Sequence, residues 1–421
     1  MRWIRFVLGK SRGLRNTFDR LPTLVTRFGL TSRKSQAQLR MLLEITERYG
    51  VRPTLPVTAV TARRHPKIVR ELEERGVEIA AHGYVHNDYA SLTREEQFEQ
   101  VSRARDELAA MGLSVRGWRC PYSRWNSDTL DALRAAGFEY DATPVYAWPA
   151  YAQEGLVLPP REMADYERLC ELFGVRDASM NKVLPTMVDG MVQIPMSIPQ
   201  DEDMVDRLHL DSSTMIRVWH RMLQDSRHRG DVFVICLHPE RVSLCAEPLN
   251  ATLREARERG DVWIATLGEI ATWWNERDRR RLTVEPSGTG RWTVGVNGSD
   301  RMITRVGNQM VTGPKHLHIE SVRRPVIHAG PIWPPETLQG LRDAGYITQN
   351  GSEQASDCVL DLDRCLPPDS SVDAVTRLAE EQSADLVRVS TWPAGYRSCL
   401  SVTGDIDALT LFDFAMRLKE F

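Results

Sequence analysis

Two histidines four residues apart, His82 and His86 in GVEIAAHGYVHNDYASLT, follow a run that reads as a strand. Imidazoles at that spacing can be aimed at one divalent cation across a tight loop. The plain alternative is two exposed loop histidines. Further polar groups stand at the ends of other strand-like runs: Arg119 and Tyr122 in WRCPY, Asp141 in YDATP, and His238 in VICLHPE. A histidine leaving an apolar run is often a buried core residue. Several such ends supplying imidazoles, a guanidinium and a carboxylate are less easily read as accident than any one of them alone.

The elements that must position these groups alternate between strand and helix from about residue 35 to 275. SQAQLRMLLEITERYG is an amphipathic helix closed by Gly50, PTLPVTAV a strand, HPKIVRELEERG a helix and VEIAAHG a strand. The long helix TREEQFEQVSRARDELAAMG leads to VRGWRCPY. SDTLDALRAAG leads to FEYDATP, and after an irregular stretch come MVQIPMSIP, the helix STMIRVWHRMLQDSRHRG and the strand DVFVICLH. The helix AEPLNATLREARERG, the strand VWIATL and a Trp-rich helix complete the series. Such alternation implies a parallel sheet, open or closed into a barrel, with catalytic groups past the carboxyl ends of its strands. The pattern breaks near NERDRRR, and hairpin-like and smaller α/β segments follow. The expected organisation is a main barrel portion over 1–280, a small α/β region over 285–395, and a terminal strand and helix over 396–421.

Composition narrows the partners. With 42% hydrophobic residues, 26% charged residues and a net charge of −3, there is no electrostatic reason to expect nucleic acid. No apolar run approaches the ~20 residues of a membrane helix. The start, MRWIRFVLGKSRGLR, is basic, but Arg5 interrupts an apolar stretch too short for a signal-peptide core. Seven scattered cysteines read as reduced thiols, so a cytoplasmic protein is expected. The oligomeric state is open, a homo-oligomer included.

Taken in order, these motifs resemble those of the polysaccharide deacetylase family, carbohydrate esterase family four, whose domain is also called the NodB-homology fold. HGYVH is similar to its metal-binding motif H-[S/T]-x-x-H, with Gly83 in place of Ser or Thr. RCPY is similar to R-x-P-[Y/F], YDAT falls where the fourth motif sits, and LHPE is similar to the motif that carries a catalytic histidine. The resemblance spans roughly residues 20 to 277 and implies a distorted (β/α) barrel.

The family's first motif, usually TFDDG, should precede the helix ending at Gly50. The local candidate, NTFDR at residues 16–20, has one carboxylate, Asp19, and Arg20 where the second should stand. A cation there would repel a divalent metal. At the far end, CLSVTGDIDALTLFDF carries an apolar run, then Asp405 and Asp407, then a helix-like stretch. It resembles a D-x-D form of the first motif. A rival pair, Asp361 and Asp363 in CVLDLDRC, also follows an apolar run, and an Asp-rich turn is the plain alternative. The terminal pair fits best, and it implies a circularly permuted barrel whose chain ends lie together in space, with the small α/β region inserted.

The resemblance implies His82, His86 and Asp407 as metal ligands, with Zn2+ the default ion and Co2+ or Ni2+ also compatible. It implies Asp405 as general base, His238 as general acid, the Tyr122 backbone N–H at the oxyanion, Arg119 orienting Asp405, and Asp141 in the variable fourth-motif role. Tyr122, Trp125 and Trp148 are candidates for holding substrate, with packing the alternative for each Trp. The expected reaction is hydrolysis of an N-acyl group, N-acetyl foremost, on an amino sugar or carbohydrate precursor. The alternatives are a deformylase or other C–N hydrolase of the same fold, and a non-catalytic carbohydrate-binding relative.

Overall fold

Four short strands open the main sheet: β1 (Thr54–Val57), β2 (Glu78–Ala81), β3 (Gly117–Trp118) and β4 (Tyr140–Asp141). They run parallel and in chain order, Leu55 facing Ile79 and Trp118 facing Asp141. Short apolar strands that are buried on both faces need a helix over each crossover. Helix Arg94–Ala110 supplies one, started by a capping box in which Thr93 and Glu96 satisfy each other's backbone N–H groups. β5 (Met191–Gln193) extends the sheet beyond β4, and β6 (Val232–Leu237) and β7 (Val262–Ile264) belong to its opposite end. This is a computed structural model, and it describes residues 27–156, 159–297, 301–306, 309–313, 315–350, 357–382 and 386–416.

One helix in the stretch expected to be irregular, Pro160–Phe173, has a physical reason for escaping the pattern. It buries only Tyr166 and Leu169, too sparse an apolar stripe to read as a period, although Pro160 starts it and Gly174 closes it in the left-handed region.

Beyond residue 280 the chain forms small antiparallel ladders, Arg281–Gly288 with Arg291–Asn297 and Ile303–Val306 with Gln309–Thr312. A small parallel sheet of β8 (Arg324–Ala329), β9 (Thr348–Asn350) and β10 (Cys358–Asp361) follows, with β8 in the middle. This region has apolar clusters of its own, around Leu341 and Leu360 and around Val294 and Val326.

The last strand returns to the main sheet. β11 (Ser398–Gly404) is buried along its whole length and lies between β6 and β1, parallel to both, while β7 also pairs with it. The order is β6–β11–β1–β2–β3–β4–β5, followed by the edge strand Thr186–Val188, in a mixed α/β architecture. Residues near the start of the described chain meet those after β11: the Leu411 N–H donates to Gly29 C=O at 2.9 Å, and Ser35 Oγ donates to Leu409 C=O at 2.8 Å. Among the described residues no helix is long and apolar enough to cross a membrane.

Candidate active site

His82 is the first residue past β2, and Gly83 turns the chain there with φ +87°. A Cβ at position 83 would stand 2.7 Å from Val85 O, so this turn requires glycine where the resembling motif has Ser or Thr. The turn brings His86 back beside His82, their ring centroids 5.1 Å apart. From the end of β11, Asp407 reaches both: its Oδ1 lies 3.2 Å from His82 Nε2 and 3.3 Å from His86 Nε2.

Whether these residues fit a divalent cation can be judged from their donors. The three ligand atoms lie within 4.8 Å of one another on buried residues. His82 Nδ1–H donates to Arg119 C=O at 2.9 Å, which fixes the tautomer and leaves the Nε2 lone pair toward Asp407. Two imidazole nitrogens and a carboxylate suit a metal centre that keeps open positions for water and substrate.

Asp405 stands beside this group, its Oδ2 3.9 Å from His82 Nε2. Its Oδ1 accepts from Arg119 Nη1 at 2.8 Å. Arg119 is 1% exposed, and its Nη1 also donates to Thr403 Oγ1 while its Nε donates to Ala142 C=O. Burial works against the guanidinium charge, but the Asp405 carboxylate outweighs it and Arg119's pKa is raised.

On the neighbouring strand, the Asp405 N–H donates to Leu237 C=O, so His238 and Asp405 leave β6 and β11 side by side. His238 Nδ1–H donates to Asp201 Oδ1 at 2.9 Å, and its backbone N–H donates to Asp201 Oδ2 at 2.7 Å. Burial disfavours the imidazolium, yet the adjacent Asp201 carboxylate prevails and pushes the His238 pKa up to about 10. The sequence reading missed Asp201; its signal was the acidic run QDED directly after the strand that ends at Ile198. It also missed Arg27, whose Nε donates to Glu240 Oε1 at 2.5 Å beside the same histidine.

The remaining candidates divide. Tyr122 packs its ring edge-on against His86, centroids 4.3 Å apart, with φ 59° there and φ 51° at Ser123. Consecutive non-glycine residues in that region are strained, as is common where a loop is shaped for function. Asp141, at the end of β4, accepts from Gln193 Nε2, from the Thr143 N–H and from Thr143 Oγ1. Burial raises its pKa to about 6, those hydrogen bonds and Arg119 pulling the other way. It touches the site through Thr143, whose Oγ1 accepts the Cys120 N–H beside Arg119. Trp125 is half-buried against the core. Trp148 is a correction: at 1% exposure it is enclosed by packing, and it has no face to offer a sugar. The rival carboxylates Asp361 and Asp363 gather around His328 instead. Asp19 and Arg20 lie outside the described residues.

The sequence model of the polysaccharide deacetylase family matches residues 12–140, a stretch that includes His82, His86, Arg119 and Tyr122. A peptidoglycan deacetylase-like protein of Gibberella zeae is 29% identical over 105 residues, 24% of this chain and 31% of that protein. A 4-alpha-glucanotransferase of Thermococcus kodakarensis is 24% identical over 241 residues, 52% of this chain and 35% of that protein. The chain thus spans about a third of the length of these curated relatives. Among solved structures, one described as a polysaccharide deacetylase from Mycobacterium smegmatis is 22% identical with a TM-score of 0.47, covering 61% of this chain and 85% of its own. The stretch that carries the histidine pair and the arginine loop is thus similar to the polysaccharide deacetylase family.

Proposed function

We propose that the protein is a metal-dependent hydrolase that removes an N-acyl group, N-acetyl foremost, from an amino sugar of a carbohydrate substrate. The observation that carries this reading is the buried Arg119–Asp405 pair set beside His82, His86 and Asp407. A hydrolytic site needs a base held in position next to its electrophile, and a buried guanidinium at 2.8 Å fixes the Asp405 carboxylate there.

A divalent cation on His82, His86 and Asp407, Zn2+ being the default, would supply Lewis acidity to the acyl carbonyl and to water. Asp405 takes the proton of the attacking water, and Arg119 holds the carboxylate in place through Oδ1. His238, kept protonated by Asp201, gives its proton to the leaving nitrogen, which departs poorly as an unprotonated amide anion. The Tyr122 backbone N–H is assigned to the oxyanion, where one lost donor typically costs about 3 kcal/mol of barrier. Asp141 supports the arginine loop through Thr143, and Tyr122 and Trp125 are assigned to the sugar. In this reading residues 1–280 and 396–421 make one permuted barrel, with 285–395 inserted into it.

The test is release of acetate from N-acetylated and of formate from N-formylated amino sugars by the Zn2+-loaded wild type, Asp405→Asn and Asp407→Ala. Acetate released by the wild type alone is the expected result. Formate in its place would make the protein a deformylase. Neither product, with no ion taken up by the barrel site, would overturn the catalytic reading in favour of a carbohydrate-binding protein.

A further inference from the structure

The second region builds a crevice of its own. β8 is the middle strand of the parallel sheet β9–β8–β10. The chain leaves β8 through helix Pro335–Asp343 to reach β9 on one side, and β10 lies on the other. The loops after β8 and β10 therefore diverge, and the carboxyl ends of such a strand pair are where open α/β sheets leave room for a ligand. A cavity of about 360 Å³ lies there, lined by Ile332 from the first loop and by residues 363–368 of the second.

Three side chains of types that can ligate a metal meet at this place, Asp363 being the exposed one. His328 in β8 stands in register with Asp361, the last residue of β10, and its Nδ1–H donates to Asp361 Oδ1 at 3.1 Å. With Asp363, which lines the cavity, these residues present ligand atoms within 4.8 Å of one another. His328 is 2% exposed and Asp361 8%. Asp363 Oδ1 accepts from the Gly330 N–H at 3.1 Å and from Trp333 Nε1–H at 2.6 Å, as outer partners orient a ligating carboxylate. A side chain at position 330 would run into Asp363 Oδ2, so glycine is what lets the carboxylate seat against the backbone.

We propose that His328, Asp361 and Asp363 form a second divalent-cation site in this crevice, separate from the barrel site. One imidazole and two carboxylates favour a hard or borderline ion such as Mn2+, Co2+ or Zn2+. An anion is disfavoured, because two carboxylates repel it and the following helix begins at Pro334 and Pro335, which have no N–H to offer. Arg364 is the competitor: its Nε lies 3.1 Å from Asp361 Oδ2 on a side chain 67% exposed. It neutralises the carboxylate when no ion is bound and opposes an incoming cation by charge.

The experiment strips the full-length protein with a chelator, titrates it with Mn2+ and reads the unbound ion by electron paramagnetic resonance. His82→Ala/His86→Ala removes barrel donors, and Asp361→Asn/Asp363→Asn removes those of the crevice. The wild type is expected to bind about two ions per chain, each double variant about one, and the combined variant none. In the His82→Ala/His86→Ala background, Arg364→Gln should tighten the remaining site by about fivefold, the effect of removing one nearby surface charge. The second site is overturned if His82→Ala/His86→Ala binds no Mn2+, or if its ion survives Asp361→Asn/Asp363→Asn. Failure of the barrel reading alone looks different: the wild type binds one ion, indifferent to His82→Ala/His86→Ala and lost with Asp361→Asn/Asp363→Asn. Should that last variant melt early, His328→Gln, which keeps a hydrogen-bonding side chain, is read by the same criteria.

Discussion

Asp405 accepts a hydrogen bond from Arg119 at 2.8 Å across 286 residues of sequence. Neither residue would be comfortable at its place without the other, because the guanidinium is almost wholly enclosed and removing one partner of a buried pair leaves an uncompensated charge.

That dependence separates two effects in mutants. Asp405→Asn keeps the shape and a hydrogen-bond acceptor, and should lower kcat by about 10²–10⁴-fold, the usual worth of a general base. Arg119→Met leaves the Asp405 carboxylate without its counter-charge and should cost about 3–5 kcal/mol of stability as well. Acetate-release kinetics and urea unfolding on the same preparations check both.

His238 gives a pH signature. Its folded pKa, about 10, lies above the ordinary ~6.5 of histidine. The stability it contributes is therefore complete below about pH 6.5 and lost as pH rises through about 10. Activity should fall on the same alkaline side, where the acid loses its proton. Asp201→Asn removes the carboxylate that holds the proton and should move the alkaline limb of kcat from near 10 toward the ordinary value. An alkaline limb unmoved by Asp201→Asn would rule out His238 as the acid.

Gly83 tests the metal loop without touching a ligand. Alanine there meets Val85 O at 2.7 Å and must adopt φ near +87°, a strain of about 1–3 kcal/mol. Gly83→Ala should therefore weaken metal uptake by the barrel site while leaving the secondary structure intact. Zn2+ titration monitored alongside far-ultraviolet circular dichroism decides it.

The seat of the last strand can be weighed by Leu400, fully buried on β11 between β6 and β7. Leu400→Ala should cost about 2–5 kcal/mol, read as a lower urea midpoint with an unchanged slope. Because Asp405 and Asp407 directly follow β11, the same change should loosen the site at temperatures where global unfolding has not begun.

Much of this was legible from the chain alone. The alternation of strands and helices, the placing of His82, Arg119, Asp141 and His238 just past apolar runs, and the D-x-D pair after the last strand are all local properties. A residue's type and its distance from a strand end can be read within a few positions. The burial of Trp148 could not, because an aromatic residue near a motif packs inward or outward according to neighbours many positions away, here Arg229 over its ring. Nor could the partnership of His238 with Asp201, which needs the turn after Ile198 to fold back on β6. The slot of β11 between β6 and β1 was likewise decided in space, since a fully apolar strand specifies burial on both faces but not which edges it joins. Residue chemistry was thus determined by the sequence, and the company each residue keeps by long-range strand pairing.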